Sequence, residues 1–105
     1  MSKNKTVDDF FRSFSVVIIS GASSGIGRAM LSRISNSETK AAVFNLSRTI
    51  PEGVPNSLNF THLTCDLSQP ADIAAVVAEL RKLMPSEGRM LLINNSGFGA
   101  YGEFP

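Results

Sequence analysis

A glycine-rich segment near the start of this chain joins a strand pattern to a helix pattern. Residues 15–20 read Ser-Val-Val-Ile-Ile-Ser, and such runs, apolar on both faces, are typical of buried parallel strands. Residues 21–27 follow at once and contain three glycines, and apolar side chains then recur at helical spacing from Ile26 to Ile34. Residues 1–14 predict no more than a short helical turn or an irregular lead-in. The order strand, tight turn, helix predicts the beginning of an α/β domain.

The alternation of strands and helices continues along the chain. Buried strands are predicted over residues 41–46, 59–65 and 90–93, and the stretch 48–56 predicts a loop because proline and glycine interrupt it. A helix is predicted to begin at Pro70. Its apolar side chains repeat with a period of 3.6 and are expected to form core: Ile73, Val76, Val77, Leu80, Leu83 and Met84. This pattern predicts a parallel sheet with right-handed crossovers.

Composition excludes several classes of function. The 105 residues carry a net charge of +1, which gives no support to a nucleic-acid partner. One cysteine, Cys65, and one histidine, His62, are too few for an internal disulfide or a Cys/His metal site. The longest apolar run, residues 73–78, is far shorter than the ~20 residues that span a bilayer. We therefore expect a cytoplasmic protein that binds no metal and does not enter a membrane.

Two other motifs overlap the glycine-rich segment and fit it less well. A P-loop requires Gly-x-x-x-x-Gly-Lys-Ser/Thr, but the sixth position counted from Gly21 is Ile26 and the lysine is absent. The Gly-x-Ser-x-Gly pattern of a hydrolase nucleophile elbow is present, with Ser23 as the nucleophile. A triad would then need an acid followed by a histidine, and the only histidine, His62, lies inside a predicted strand. The elbow is therefore a minor alternative.

Four short motifs, each at the end of a predicted strand, carry a family resemblance. The first is Ser20-Gly21-Ala22-Ser23-Ser24-Gly25-Ile26-Gly27, which is similar to Thr-Gly-x-x-x-Gly-x-Gly in the short-chain dehydrogenase/reductase family. The next two are Ser47-Arg48 and Asp66-Leu67. The last is Asn94-Asn95-Ser96-Gly97, where the family has Asn-Asn-Ala-Gly. The resemblance covers residues 15 to about 103, with Ser20 in place of Thr and Ser96 in place of Ala.

The resemblance implies an α/β fold with an incomplete, Rossmann-like parallel sheet in the strand order 3-2-1-4. Residues 1–105 would then be the N-terminal part of a single NAD(P)-binding Rossmann domain, truncated before its catalytic half. The family's catalytic pair is Tyr-x-x-x-Lys, but four residues after the only tyrosine, Tyr101, stands Pro105. No catalytic residue is therefore assigned.

The resemblance also implies how the first motif would hold a dinucleotide. Gly21 would make the turn, and Gly27 would allow close packing of the helix. The backbone N–H groups of Gly25 and Ile26 would approach the pyrophosphate at the amino end of the helix. The neighbouring hydroxyl groups, of Ser23 and Ser24, would add contacts to phosphate or ribose.

The other motifs would hold the rest of the nucleotide. Asp66 would meet the adenine edge with Leu67 beside it, and Asn95 would contact the adenosine ribose. The full set of predicted cofactor-binding residues is Gly21, Ser23, Ser24, Gly25, Ile26, Gly27, Ser47, Arg48, Asp66, Leu67, Asn95, Ser96 and Gly97.

Arg48 predicts that NADP is bound in preference to NAD. NAD-specific sites of this kind place an acid at the end of the second strand, where it binds the ribose 2′-hydroxyl. This chain has Ser47-Arg48 there with no acid beside it. An arginine can pair with a 2′-phosphate through two hydrogen bonds. The alternative is a solvated loop arginine with no ligand.

Two classes of function stay open at this point. One is the cofactor-binding portion of an oxidoreductase that, when complete, transfers hydride between NADP and a small carbonyl or alcohol. The other is a catalytically inactive nucleotide-binding remnant of a truncated gene. In both, the fourth strand lies at an edge of the sheet and contains neither Lys nor Pro, so we expect self-association through it.

Overall fold

The computed structural model of the chain describes residues 5–95, apart from the side chain of Lys5. Its elements, in chain order, are α1 (Lys5–Arg12), β1 (Val16–Ser20), α2 (Gly25–Asn36), β2 (Ala42–Ser47), β3 (Phe60–Thr64), α3 (Pro70–Leu83) and β4 (Met90–Asn94). The four strands form one sheet in the order β3-β2-β1-β4, and every neighbouring pair is parallel. The predicted order 3-2-1-4 is confirmed.

The register of the strands brings their carboxyl ends to one edge of the sheet. Ser20 lies opposite Asn94 in β4, and Ser47 lies opposite Thr64 in β3. The segments that follow the four strands therefore emerge side by side, which is where ligands bind in open α/β sheets.

The side chains of β1 alternate between two hydrophobic cores, one on each face of the sheet. Val17 and Ile19 are buried in a core that α1 and α2 cover. Val16 and Ile18 are buried in a second core that α3 covers. The loop between β2 and β3 contributes Leu58 to the first core, so this loop supplies apolar cover for that face.

Helix α1 is longer than the short helical turn or lead-in that the sequence predicted. Its Phe11 side chain is only 4% exposed and belongs to the first core. The guanidinium of Arg12 donates a hydrogen bond to the Ser37 carbonyl oxygen at 2.7 Å, and Asp8 pairs with Arg33 of α2 at 3.2 Å. These contacts with α2 and with Ser37, the residue that follows it, stabilise a helix that would be too short to form alone.

The apolar stripe of α3 is core only in part, so our expectation for it was partly wrong. Val76 and Leu80 are buried. The side chains that remain 40–48% exposed are Ile73, Val77 and Leu83. On the edge strand β4, Met90 and Leu92 are also exposed. The second core is therefore well covered over β1 and β2 and poorly covered over β4.

Candidate functional site

A cleft of about 710 Å³ opens along the edge where the strands end. The last residues of β2 and β4 and the segments that follow all four strands line it: Gly21, Ser23, Ser24, Ser47, Arg48, Thr49, Cys65, Asp66, Leu67, Ser68, Asn94 and Asn95. Eight of the thirteen predicted cofactor-binding residues are among these. The predicted residues Gly25, Ile26 and Gly27 lie just beyond the lining, at the start of α2. Ser96 and Gly97 lie outside the described residues.

The glycine-rich turn owes its shape to the absence of side chains at three positions. Gly21 and Gly25 have φ angles of +74° and +59°, in the left-handed region that favours glycine. A Cβ atom on Gly27 would collide with the carbonyl oxygen of Gly21. Gly27, in the first turn of α2, therefore allows the helix to pack against the glycine-rich turn. The Ile26 side chain is 75% exposed, so it does not contribute to the core.

The amino end of α2 lies beside the cleft and can receive an anion. Ser24, the residue before the helix, is extended and its side chain caps nothing, and the first turn of α2 contains no acidic residue. The first N–H groups of a helix lack partners within the helix, and its dipole is positive at that end. A phosphate group in the cleft would thus find both donors and a favourable potential.

Asn95 connects the turn after β4 to the turn after β1. Its backbone N–H donates to the Ser20 hydroxyl at 2.9 Å, and its side-chain Nδ2 donates to the Gly21 carbonyl oxygen at 3.1 Å. The structure thus assigns the Asn95 amide a bond within the protein. A contact between Asn95 and a ribose stays a prediction.

Asp66 is held as a carboxylate at the cleft. Its Oδ1 accepts hydrogen bonds from the Ser68 hydroxyl at 2.6 Å and the Ser68 N–H at 3.0 Å. These bonds, together with the positive charge of Arg48, lower the pKa of Asp66 below its usual value. Its own N–H donates to Asp72 Oδ2 at 2.9 Å, which fixes the backbone before α3.

Ser47 and Arg48 differ in how tightly the protein holds them. The Ser47 hydroxyl accepts a bond from Asn45 Nδ2 at 2.9 Å and donates to the Thr49 carbonyl oxygen at 2.6 Å. Arg48 is exposed and, among residues 5–95, forms no ion pair within 4.0 Å. An anion that entered the cleft could therefore pair with its guanidinium.

Sequence reasoning missed Asn45, which lies behind the cleft in β2. Its side chain is fully buried, and Oδ1 accepts the Ala22 N–H at 2.9 Å. The available signal was an amide inside an otherwise apolar strand, because a buried amide requires partners.

Burial of Cys65, with the nearby charges of Asp72 and Asp66, raises the pKa of its thiol.

The nucleophile-elbow alternative finds no support in the geometry. The ring nitrogens of His62 lie 3.0 Å from Asn45 Nδ2 and 3.1 Å from Thr64 Oγ1, whereas Ser23 forms no hydrogen bond with the ring in the described structure. Burial lowers the pKa of His62.

In residues 5–95 no cluster of three or more His, Cys, Asp or Glu side chains could hold a metal ion. No helix in that range is long and apolar enough to cross a membrane.

Comparisons of the sequence and of the structure with known proteins both find dehydrogenases or oxidoreductases. A family model described as short chain dehydrogenase matches residues 15–105. The chain is 33% identical over 85 residues to an uncharacterized oxidoreductase of Saccharomyces cerevisiae, TDA5, an alignment that covers 81% of this chain and 25% of that protein.

Two solved structures share the fold. Ligand-free aldohexose dehydrogenase from Thermoplasma acidophilum matches 90% of this chain and 34% of its own, with a TM-score of 0.65 and 32% identity. A short-chain dehydrogenase/reductase from Burkholderia vietnamiensis matches 76% of this chain and 38% of its own, with a TM-score of 0.57 and 26% identity. The chain thus spans between 25% and 38% of the length of these relatives. It has the predicted Rossmann-like fold and belongs to the short-chain dehydrogenase/reductase family, whose members bind a nicotinamide dinucleotide.

Proposed function

We propose that residues 1–105 are the N-terminal, cofactor-binding part of a single Rossmann domain in an NADP-dependent short-chain oxidoreductase. The complete enzyme would transfer hydride between NADP and a small carbonyl or alcohol. The observation that carries this proposal is the exposed Arg48, which lines the cleft at the strand ends without an acidic partner within 4.0 Å among the described residues.

The residues of the cleft fit a dinucleotide. Its volume, about 710 Å³, lies within the range of small-molecule sites, roughly 300–1,000 Å³. The missing Cβ at Gly27 lets α2 pack against Gly21, and the left-handed φ angles of Gly21 and Gly25 shape the turn, so that the amino end of α2 borders the place where a pyrophosphate would lie. The N–H groups of Gly25 and Ile26 would bind the pyrophosphate, with the Ser23 and Ser24 hydroxyls beside it.

The opposite side of the cleft would hold the adenosine. The ionised Asp66 would accept a hydrogen bond from the adenine amino group, with Leu67 against the ring. Arg48 would form a forked pair with the 2′-phosphate of NADP, helped by the Ser47 hydroxyl. NAD lacks this phosphate, so the same arginine gives it no ion pair.

Residues 1–105 would bind the cofactor without catalysing turnover. The bound nicotinamide supplies the hydride chemistry, but proton transfer to the substrate needs a positioned acid and base. The family's Tyr-x-x-x-Lys segment does not occur in these residues. This observation favours a second candidate function for residues 1–105, nucleotide binding alone. Turnover by the pure chain that Tyr101→Phe abolishes would refute the assignment of no catalytic residue.

We also propose that the isolated chain associates with itself through β4. Met90 and Leu92 of this edge strand are 53% and 62% exposed, and its outer N–H and C=O groups have no neighbouring strand among residues 5–95. Such an edge is a template for pairing with another chain.

Titration of the pure chain with NADPH and NADH, followed by nicotinamide fluorescence, tests the cofactor proposal. A charge-assisted hydrogen bond contributes about 1.5–3 kcal/mol, so Arg48→Ala should weaken NADPH binding about ten- to a hundredfold and leave NADH binding nearly unchanged. Arg81→Ala, an exposed arginine in the last turn of α3, is the matched control and should change neither. Equal losses for NADPH and NADH in Arg48→Ala would overturn the NADP assignment.

A further inference from the structure

Asn45 occupies a buried position between two segments of the cleft. Its Oδ1 accepts the Ala22 N–H of the glycine-rich turn, and its Nδ2 donates to the Ser47 hydroxyl, which in turn donates to the Thr49 carbonyl oxygen. One side chain thus connects the turn after β1 to the segment after β2. The side chain has no exposed surface, so water cannot replace these bonds.

The directions of these hydrogen bonds form one consistent set. The Ala22 N–H can only donate, so Oδ1 must face it and Nδ2 must face Ser47 and His62. Nδ2 can only donate, so the His62 Nδ1 at 3.0 Å must accept, and the ring proton is on Nε2. From there it donates to Thr64 Oγ1 at 3.1 Å. A neutral His62 with its proton on Nε2 thereby accepts from Nδ2 and supports the amide orientation that the Ala22 N–H requires.

We infer that Asn45 is a positioning residue of the cofactor site. Its side chain holds the glycine-rich turn and the Ser47–Arg48 segment in place relative to each other, and His62 supports the orientation of its amide. The inference rests on the proposed NADP site. Asn45 itself lies behind the cleft and does not line it. Its effect on the nucleotide would be transmitted through Ala22 on one side and Ser47 on the other.

Substitutions at His62 test the inference, because this residue is only partly buried on the edge strand β3 and tolerates replacement better than Asn45. His62→Leu removes the acceptor that faces Nδ2. His62→Asn also removes the ring but can place an amide oxygen near the position of Nδ1. Thr61→Val, one residue away and on the other face of β3, is the matched control.

Two readouts are compared across wild type and variants: the NADPH dissociation constant, and the NMR resonances of the Ala22 backbone amide and the Thr49 backbone carbonyl. We expect His62→Leu to move both resonances and to raise the dissociation constant three- to tenfold. His62→Asn and the control should stay within twofold of wild type. If His62→Leu and His62→Asn have the same affinity, or if the Ala22 resonance is unmoved in His62→Leu, the inference is wrong.

The cofactor proposal and this inference fail in distinguishable ways. A wild-type chain that binds neither NADPH nor NADH contradicts the proposed function. The Ala22 and Thr49 resonances still decide whether the Asn45 amide connects the two segments. Asn45→Leu, which keeps the number and branching of the side-chain heavy atoms and removes all three hydrogen bonds, should weaken NADPH binding at least tenfold. Unchanged affinity in a folded Asn45→Leu chain would overturn the positioning role.

Discussion

The side-chain amide of Asn95 donates a hydrogen bond to the carbonyl oxygen of Gly21 over 3.1 Å, so the residue after β4 holds the residue after β1. Asn95→Ala removes this bond and should lower the free energy of unfolding by about 0.5–1.5 kcal/mol. The affinity for NADPH should fall as well, because the glycine-rich turn loses a support. Urea unfolding followed by circular dichroism, with a NADPH titration, measures both. The neighbouring Asn94→Ala is the control, since Asn94 is exposed and its Oδ1 accepts only a long hydrogen bond, of 3.4 Å, from the Ser20 hydroxyl. Equal effects of the two substitutions would contradict the role given to Asn95.

Gly27→Ala should be the most damaging small substitution in the turn. The added Cβ would meet the Gly21 carbonyl oxygen and lie 2.6 Å from Asn95 Nδ2, so α2 must move away from the turn. Such overpacking costs about 1–3 kcal/mol of unfolding free energy, and NADPH binding should be lost with it. In Gly53→Ala the added Cβ lies 3.9 Å from the nearest side chain, Arg28, and the φ of +72° gives only local strain. That control should keep its NADPH affinity. Full binding by Gly27→Ala would show that the close contact is not required.

Phe11→Ala should destabilise the whole chain, although residue 11 precedes the part matched by the family model. The side chain is 4% exposed in the first core, and such truncations cost about 3–5 kcal/mol. Phe10→Ala, next to it and 48% exposed, should cost far less. The single thiol, Cys65, is 1% exposed and gives a direct measurement, because opening of the chain should raise its rate of reaction with alkylating reagents. Equal labelling rates in the two variants would mean that α1 does not stabilise the core.

Much of the fold followed from local pattern. Runs such as residues 15–20 and 41–46 predict buried parallel strands because they are apolar on both faces, and the glycines fix the turn after β1. The family resemblance then gave the strand order 3-2-1-4. The length of helix α1 was harder to predict. Its stability comes from contacts that no local pattern encodes, such as Asp8 with Arg33 of α2 and Arg12 with the Ser37 carbonyl just after α2.

The residues of the cleft were predictable where a motif ends a strand, as at Ser47 and Asp66. Asn45 was not, because its importance lies in partners 17 and 23 positions away, His62 and Ala22. The partial exposure of the α3 stripe was also unpredictable from periodicity alone. Periodicity shows which side chains share a face, whereas burial depends on what covers that face.

Acid should weaken the fold through Asp66. Its folded-state pKa lies below the ordinary value of 3.8, chiefly because of the hydrogen bonds from Ser68. As the pH falls, Asp66 is therefore protonated in the unfolded chain before it is protonated in the folded chain. The stabilisation of the fold by the Asp66 carboxylate is complete above pH 3.8 and is lost as the pH falls through the folded-state pKa. Ser68→Ala should raise the pKa of Asp66 toward its ordinary value, as measured by NMR of the side-chain carboxyl carbon. An unchanged pKa in Ser68→Ala would assign the shift to the backbone N–H of residue 68 and to Arg48 instead of the hydroxyl.

Leu92→Lys should reduce self-association of the pure chain. Leu92 lies at the middle of β4, the edge strand beside β1, and is 62% exposed. A charge in the middle of an exposed edge opposes pairing with a second strand. Size exclusion at several concentrations should show wild type shifting to larger species and Leu92→Lys staying monomeric.

Ile50→Lys is the matched control, because Ile50 is 63% exposed but lies in the loop after β2, away from the edge. If Ile50→Lys reduces association as much as Leu92→Lys, general solubility accounts for the effect. A wild-type chain that stays monomeric with a sharp cooperative melt would show that this half-sheet is self-sufficient and that β4 is not an association site.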